Sequence, residues 1–268
     1  MNFLFNIIKY FIFKLLGIQP SQEFYIQLHS RALEGMNIGG SGKTDDSGEY
    51  NALEYIKKKL NANDDIVVFD VGANIGDYAK LIHNVFKNNI SIFSFEPSLQ
   101  TFQKLSINTK DITSIKRYNI GLGDQKTTLQ LFSNAQESGL ASLYKRRLDH
   151  LDIEMKYVEN IEISTLDSFC NENKINHIHF LKMDVEGHEL KVLNGAREML
   201  ESGKIDFIQF EFGGCNIDSK SFFQDFFYLL NANYKIYRIL NNGLYEITNY
   251  SERHEIFLTA NYLAERRK

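Results

Sequence analysis

Chemistry-bearing residues cluster directly after short apolar runs. Asp70-Val71-Gly72-Ala73-Asn74-Ile75-Gly76 follows IVVF and precedes a helical pattern, and Glu96-Pro97 follows SIFSF. Glycines in a strand-to-helix turn let backbone approach a ligand closely. An acid at the end of the next strand can accept hydrogen bonds from both hydroxyls of a ribose. The spacing is not G-x-G-x-x-G, and the first acid, Asp70, lies inside the motif, so a dinucleotide pyrophosphate fits poorly. A smaller ligand carrying a carboxylate, an amino group and a ribose fits better, and that combination favours S-adenosylmethionine.

These residues need elements to hold them. IVVFDV, SIFSFE, SIKRYNI, HFLKMD and FIQFEF are strand candidates, mostly continuous apolar runs, as strands buried on both faces should be. Residues 78–86, 99–108 and 189–200 carry apolar spacing of three and four. Pro97 is expected at the start of the helix over 99–108, where its missing N–H costs nothing. Strand alternating with helix predicts an α/β fold with a doubly wound, mostly parallel sheet. Residues 222–230 give one more helix, and YKIYRIL, LYEIT and HEIFLTA finish the chain, the first two separated by Asn241-Asn242-Gly243. That predicts a C-terminal antiparallel hairpin, with residues 265–268 as a solvated tail.

DVGANIGDY, FSFEP, NIGLGD and FLKMDVEGHELKVLNGA resemble the FkbM family of S-adenosylmethionine-dependent methyltransferases, over roughly residues 37–211. The resemblance implies a seven-stranded Rossmann-like sheet of the class I methyltransferase kind. It also implies O-methylation, typically of a sugar or polyketide hydroxyl, leaving S-adenosylhomocysteine. Carried over by position, Asp70, Gly72, Ala73, Asn74 and Gly76 would cradle the methionine part, Glu96 and Pro97 the ribose, and Gly123-Asp124 the adenine edge. Ser142, in ASLY, lies in a stretch similar to a short motif of the family and joins the cofactor-site candidates. The acceptor is then a small molecule, expected to contain sugar, such as a nucleotide-linked sugar made for surface polysaccharide; the alternatives are another small acceptor, phosphate-type, lipid-linked or polyketide, and a non-catalytic S-adenosylmethionine-binding module.

The acceptor side rests on Asp184, Glu186 and His188 in MDVEGHE and on Glu211 in FEFG. A protonated aliphatic hydroxyl is a poor nucleophile, so the site needs a general base, a metal that acidifies the hydroxyl, or very good positioning. His188 has the ordinary pKa nearest neutrality, although a histidine at a helix start also serves as a cap. Asp184 and Glu211 on adjacent strand ends offer a less favoured route through Mg²⁺. Asp184 and Glu186 also suit capping of the helix that follows. Lys182 shares a strand face with Asp184 and is expected to pair with one of these acids. His177 and His179 share a face too and, without a third ligand, read as packing. Tyr144, Lys145, Arg146 and Arg147 form a patch suited to a phosphate or to plain solvation.

The chain of 268 residues, 43% hydrophobic and 24% charged, can bury a full core; the reading is one methyltransferase domain over 61–264 behind a helical extension over 1–60. A net charge of −4 argues against a nucleic-acid partner. Cys170 and Cys215, far apart and without close histidines, indicate neither zinc nor a disulfide framework, which suits a reducing cytoplasm. Residues 1–18 are strongly apolar, but Lys9 and Lys14 interrupt them before a bilayer-spanning length is reached. They read as a helix docked on its own domain or a second subunit, or as a peripheral anchor on the inner membrane face. In the Gly-rich lid loop that follows, Gly42-Lys43-Thr44 imitates the end of a P-loop, but Asn37 stands where that motif needs its first glycine. Asp46 with Glu49 is expected to cap the next helix.

Overall fold

A computed structural model describes residues 16–39, 47–61, 64–87, 89–135 and 138–267. The expected helix over 1–18, the Gly42-Lys43-Thr44 loop and the Asp46 cap lie largely or wholly outside them. Two helices lead in, α1 (Gln22–Gly35) and α2 (Glu49–Lys59). Ser47 meets the first turn of α2: its hydroxyl accepts from the Glu49 N–H and donates to the Glu49 carboxylate.

The sheet strands are β1 (Ile66–Val71), β2 (Ile90–Phe95), β3 (Ile115–Tyr118), β7 (Ile178–Met183), β8 (Ile205–Phe212), β9 (Tyr234–Leu240), β10 (Gly243–Ile247) and β11 (Ala260–Arg266), in the order β10-β9-β11-β8-β7-β1-β2-β3. From β3 to β8 neighbouring strands are parallel, while β11 runs antiparallel to both β8 and β9. The sheet therefore has an α/β doubly wound body, and the hairpin strand β10 extends it to eight. The last strand lies later than HEIFLTA suggests: a 3₁₀ turn, Glu252–His254, and a connector over 255–259 precede it, and Glu265 and Arg266 are sheet residues, not a tail. Tyr262, Leu263 and Ala264 are buried in succession, as in a strand covered on both faces.

A second sheet was not apparent from the sequence. β4 (Gly121–Leu122), β5 (Thr127–Ser133) and β6 (Tyr157–Ser164) form it in the order β4-β6-β5. It buries only a small apolar face, Leu131, Ile161 and Ile163.

Helices cover both faces of the main sheet. α2 and α3 (Asp77–Phe86) pack Leu53, Ile56 and Ile82 against Val68, Ile92, Phe180 and Phe207. α2 thus shares the sheet's core, while α1 buries only Leu33 and leaves Phe24 and Leu28 exposed. The opposite face carries Phe69, Phe95, Leu181 and Ile208 beneath α5 (Leu166–Asn173), α6 (Glu189–Asn194) and α9 (Phe223–Leu230). The helix expected over 189–200 breaks at Gly195 into α6 and α7 (Arg197–Glu201), and α4 (Leu99–Asn108) and α8 (Cys215–Ser219) complete the set. Each buried Phe or Leu on these faces contributes about 1.5–3 kcal/mol through burial. Among the described residues no helix is long and apolar enough to cross a membrane.

Candidate active site

The strand order reverses between β1 and β7, the place where open α/β sheets hold ligands. There the Asp70–Gly76 turn meets the end of β7. Gly72 has φ +80°, and a Cβ on it would lie 1.9 Å from the Asp184 carbonyl oxygen, so only glycine allows this approach. Gly72 and Ala73 donate to the Phe95 carbonyl at 3.0 and 2.9 Å, tying the turn to β2. Gly76, at φ +93°, opens α3 against Leu105 and Thr109.

Glu96 lies across the turn. Its two carboxylate oxygens accept from the Asn74 and Ser98 N–H groups, each at 3.0 Å. Burial pushes this carboxyl up to about 7 even so. Pro97 lines the same cleft but stands before the Ser98 N-cap of α4 rather than in its first turn.

Beneath the turn, one lateral row of polar side chains crosses four strands in register: Ser94, Asp70, Lys182 and Gln209. Asp70 is fully buried, and neither of its oxygens has a hydrogen-bond partner. Burial lifts its pKa to about 6, against the pull of the Lys182 ammonium 3.8 Å away. Lys182 also donates to Asp184 at 3.3 Å and lies 4.8 Å over the Tyr78 ring. Tyr78, Gln209 and Glu49 continue the network through bonds of 2.9 Å. Lys182 thus supplies the cation between Asp70 and Asp184. Asp70 is thus enclosed beneath the turn with Lys182 as its counter-ion, and the surface left to a ligand here is Gly72, Asn74 and Glu96.

A cleft runs from Gly72, Asn74, Glu96 and Pro97 to Asp184, Glu186 and His188. Its remaining wall is apolar: Leu131, Ile161 and Ile163 from the small sheet, Leu122, and Ala141 with Leu143 from the β5–β6 connection. Gly121 and Leu122, not Gly123 and Asp124, form its wall on this side. Gly123 instead packs on the His188 ring, its Cβ position 2.8 Å from Nε2, and Asp124 is held by Lys191 at 2.7 Å. Ser142 is buried outside the wall; its hydroxyl donates to the Glu186 carbonyl at 2.7 Å and accepts from the Tyr144 N–H.

The four acceptor-side candidates separate by environment. His188 is buried on the Gly123 side, with Nδ1 3.2 Å from the Tyr144 hydroxyl and no partner for Nε2. Burial pulls its pKa down to about 4, which makes it neutral but a feeble proton acceptor. Glu186 occupies a left-handed position, φ 51°, and pairs with Arg146. Burial and the Asp184 charge hold Glu186 up at about 8 despite that arginine. Asp184 is 43% exposed beside Lys182. Glu211, at the end of β8, makes no hydrogen bond or ion pair among the described residues. Its pKa is held well above the usual carboxylate range by burial and then by the charges of Asp184 and Glu186.

Neither Asp184 nor Glu186 caps α6, whose N-cap position is His188 with no side-chain cap; Glu189 instead folds back on the preceding turn, its Oε1 accepting from the Val185 and Gly187 N–H groups at 2.9 and 3.3 Å. An acid as the first residue of α6 was visible in the sequence, but not that it folds back over the preceding turn. The one cluster of three metal-type ligands among the described residues, His177, His179 and Asp206, lies at the other end of the sheet strands. There His179 Nδ1 accepts from the Val67 N–H, so its neutral ring carries the proton on Nε2, and Asp206 is taken by His177 and Arg266. No lone pair of His179 is free for a metal. Asp184, Glu186 and Glu211 do not form such a cluster.

Relatives of this chain are methyltransferases by name. It is 25% identical over 156 residues to the 2-O-methyltransferase NoeI of Sinorhizobium fredii, covering 54% of this chain and 63% of that protein. It is 24% identical over 167 residues to the hexuronic acid methyltransferase AglP of Haloferax volcanii, covering 62% and 64%. Methyltransferase 1 of Beauveria bassiana matches at 26% over 150 residues, 49% of this chain and 59% of that protein. The chain thus spans about three-fifths of the length of these relatives. Among solved structures, a putative rRNA methylase from Clostridium thermocellum overlaps with TM-score 0.45 at 10% identity, over 83% of this chain and 98% of that one. The methyltransferase FkbM domain itself matches residues 70–239, beginning at the orphaned Asp70 and running through both strand ends that frame the cleft, and the chain belongs to that family.

Proposed function

We propose that this protein is an S-adenosylmethionine-dependent O-methyltransferase acting on a hydroxyl of a sugar-containing small molecule, such as an intermediate of a surface glycan. The observation that carries the reading is the convergence of the glycine turn and the backbone-held Glu96 on one cleft, with Asp70 buried beneath the turn. The names of NoeI and AglP support sugar as the acceptor class. In this reading the Gly72–Asn74 backbone, with Asp70 beneath it, holds the methionine end, Glu96 the ribose, and the apolar wall at Leu122 and Ile163 the adenine. When bound, the cofactor supplies an electrophilic methyl group.

The chain's own task is to orient the hydroxyl and take its proton. Glu211 suits the second role by its place at the end of β8: its side chain is unpaired, and burial raises its proton affinity. His188 does not, because burial leaves it too weak a base. Asp184, held by Lys182, is placed to orient the acceptor from the neighbouring strand end. The reading replaces Mg²⁺ with Lys182 as the local cation. Methyl transfer to a panel of sugars and sugar nucleotides, read by mass spectrometry, tests it. Glu211→Gln is expected to lower kcat by about 10²–10⁴-fold with little change in cofactor affinity. A Glu211→Gln enzyme with unchanged kcat would remove Glu211 from the chemical step.

A further inference from the structure

The sequence patch 144–147 is divided by the fold. Lys145 and Arg147 are exposed, whereas the Arg146 side chain is only 10% exposed and turns inward to Glu186. It stands where the two acceptor-side strands end. Glu186 lies in the turn after β7, and Arg146 Nη2 is 3.8 Å from the Cβ position of Gly214, just beyond β8.

A buried guanidinium is costly unless its donors are matched. Arg146 spends Nη1 on Glu186, while its Nε–H is buried with no acceptor. Nε and Nη2 form the edge whose parallel N–H groups match two oxygens of a carboxylate or phosphate. The edge best shaped for an oxyanion is therefore the one that Glu186 does not use. Its surroundings are rigid. Ser142, on the same connection as Arg146, bonds the Glu186 carbonyl, and Glu186 is held in a left-handed conformation that a non-glycine residue adopts at a cost. Glu186 itself offsets the arginine only partly, since burial favours its protonated form.

We propose that Arg146 is the specificity-determining residue of the acceptor site and that the acceptor carries an oxyanion, a carboxylate or a phosphate, which the Nε–Nη2 edge binds. The inference rests on the methyltransferase reading and adds the acceptor's charge class. A neutral sugar would leave the buried Nε–H unmatched. Lys145 and Arg147, facing solvent, contribute little to this choice.

Calorimetry on the full chain saturated with S-adenosylhomocysteine tests the proposal, with D-glucuronate, glucose 1-phosphate and methyl glucoside as separate probes. At least one of the two anions is expected to bind roughly tenfold or more tightly than the neutral sugar. Preference for glucuronate assigns a carboxylate, and preference for the sugar phosphate a phosphate. Arg146→Gln should abolish the preference, and Arg146→Lys, which keeps the charge but loses the fork, should retain only part of it. Lys145→Gln should leave it unchanged. S-adenosylhomocysteine affinity, measured on the same samples, shows whether each variant is folded. Equal affinity for all three sugars, no binding of either anion at millimolar concentration, or a preference that survives in a cofactor-binding Arg146→Gln protein would overturn the proposal. Failure of S-adenosylhomocysteine to bind the wild-type chain would instead overturn the methyltransferase reading beneath it.

Discussion

Glu96 holds its proton up to about pH 7, whereas ribose hydroxyls donate best to its ionised form. Ligand binding must therefore remove that proton at low pH. Affinity for S-adenosylhomocysteine is expected to weaken as pH falls through about 7, by at most tenfold per pH unit, and titrations across pH 6 to 8 would read this directly. Glu96→Gln should flatten the profile and cost about 1.5–3 kcal/mol at high pH. A wild-type affinity that is flat across this range would show that the ribose does not depend on Glu96. Asp70, Gly72, Glu96 and Asp184 were legible in the sequence because each sits at a strand end, where position follows directly from the order of runs. That Arg146 leaves its patch to turn inward and that Glu189 folds back on the preceding turn were not. Whether a charged side chain in a connection turns inward depends on contacts between segments distant in sequence, here Arg146 with Glu186.

At the level of elements, the continuous apolar runs predicted β1, β2, β7 and β8, because strands buried on both faces have little other sequence solution. The small sheet was missed for the converse reason. TTLQLFS and YVENIEIS bury few side chains, and their alternation is weak beside the charged residues around them. The break between α6 and α7 also depends on long-range contact: a Cβ on Gly195 would lie 1.9 Å from the Gly123 carbonyl oxygen. Gly195→Ala must push this helix pair away from the β4 end of the small sheet. It should destabilise the fold by about 1–3 kcal/mol, visible as a midpoint several degrees lower in thermal unfolding. An unchanged midpoint would mean that the two segments separate without cost. Because His188 packs on Gly123, the same substitution should also weaken cofactor binding.

Across the whole molecule, acids at the ends of the parallel strands have native pKa values raised by burial: Glu96 and Glu189 to about 7, Glu186 to about 8, and Glu211 well above its usual value. These groups bind more protons folded than unfolded, so their contribution to stability is present below the unfolded carboxylate range and is lost as pH rises through 7 to 8. The buried His188, lowered to about 4, works in the opposite sense, but only below about pH 6.5. The unfolding midpoint should therefore fall between pH 6.5 and 8. A midpoint that rises over that interval would contradict the burial assigned to these acids. A fold that accepts this cost has its charges arranged for a ligand, and the ligand is the central claim. Calorimetric titration of the full chain with S-adenosylhomocysteine tests it most directly. Saturable binding in the micromolar range, weakened at least about tenfold by Glu96→Ala, is the expected result. No binding at high micromolar concentration, or equal binding by the variant, would contradict it.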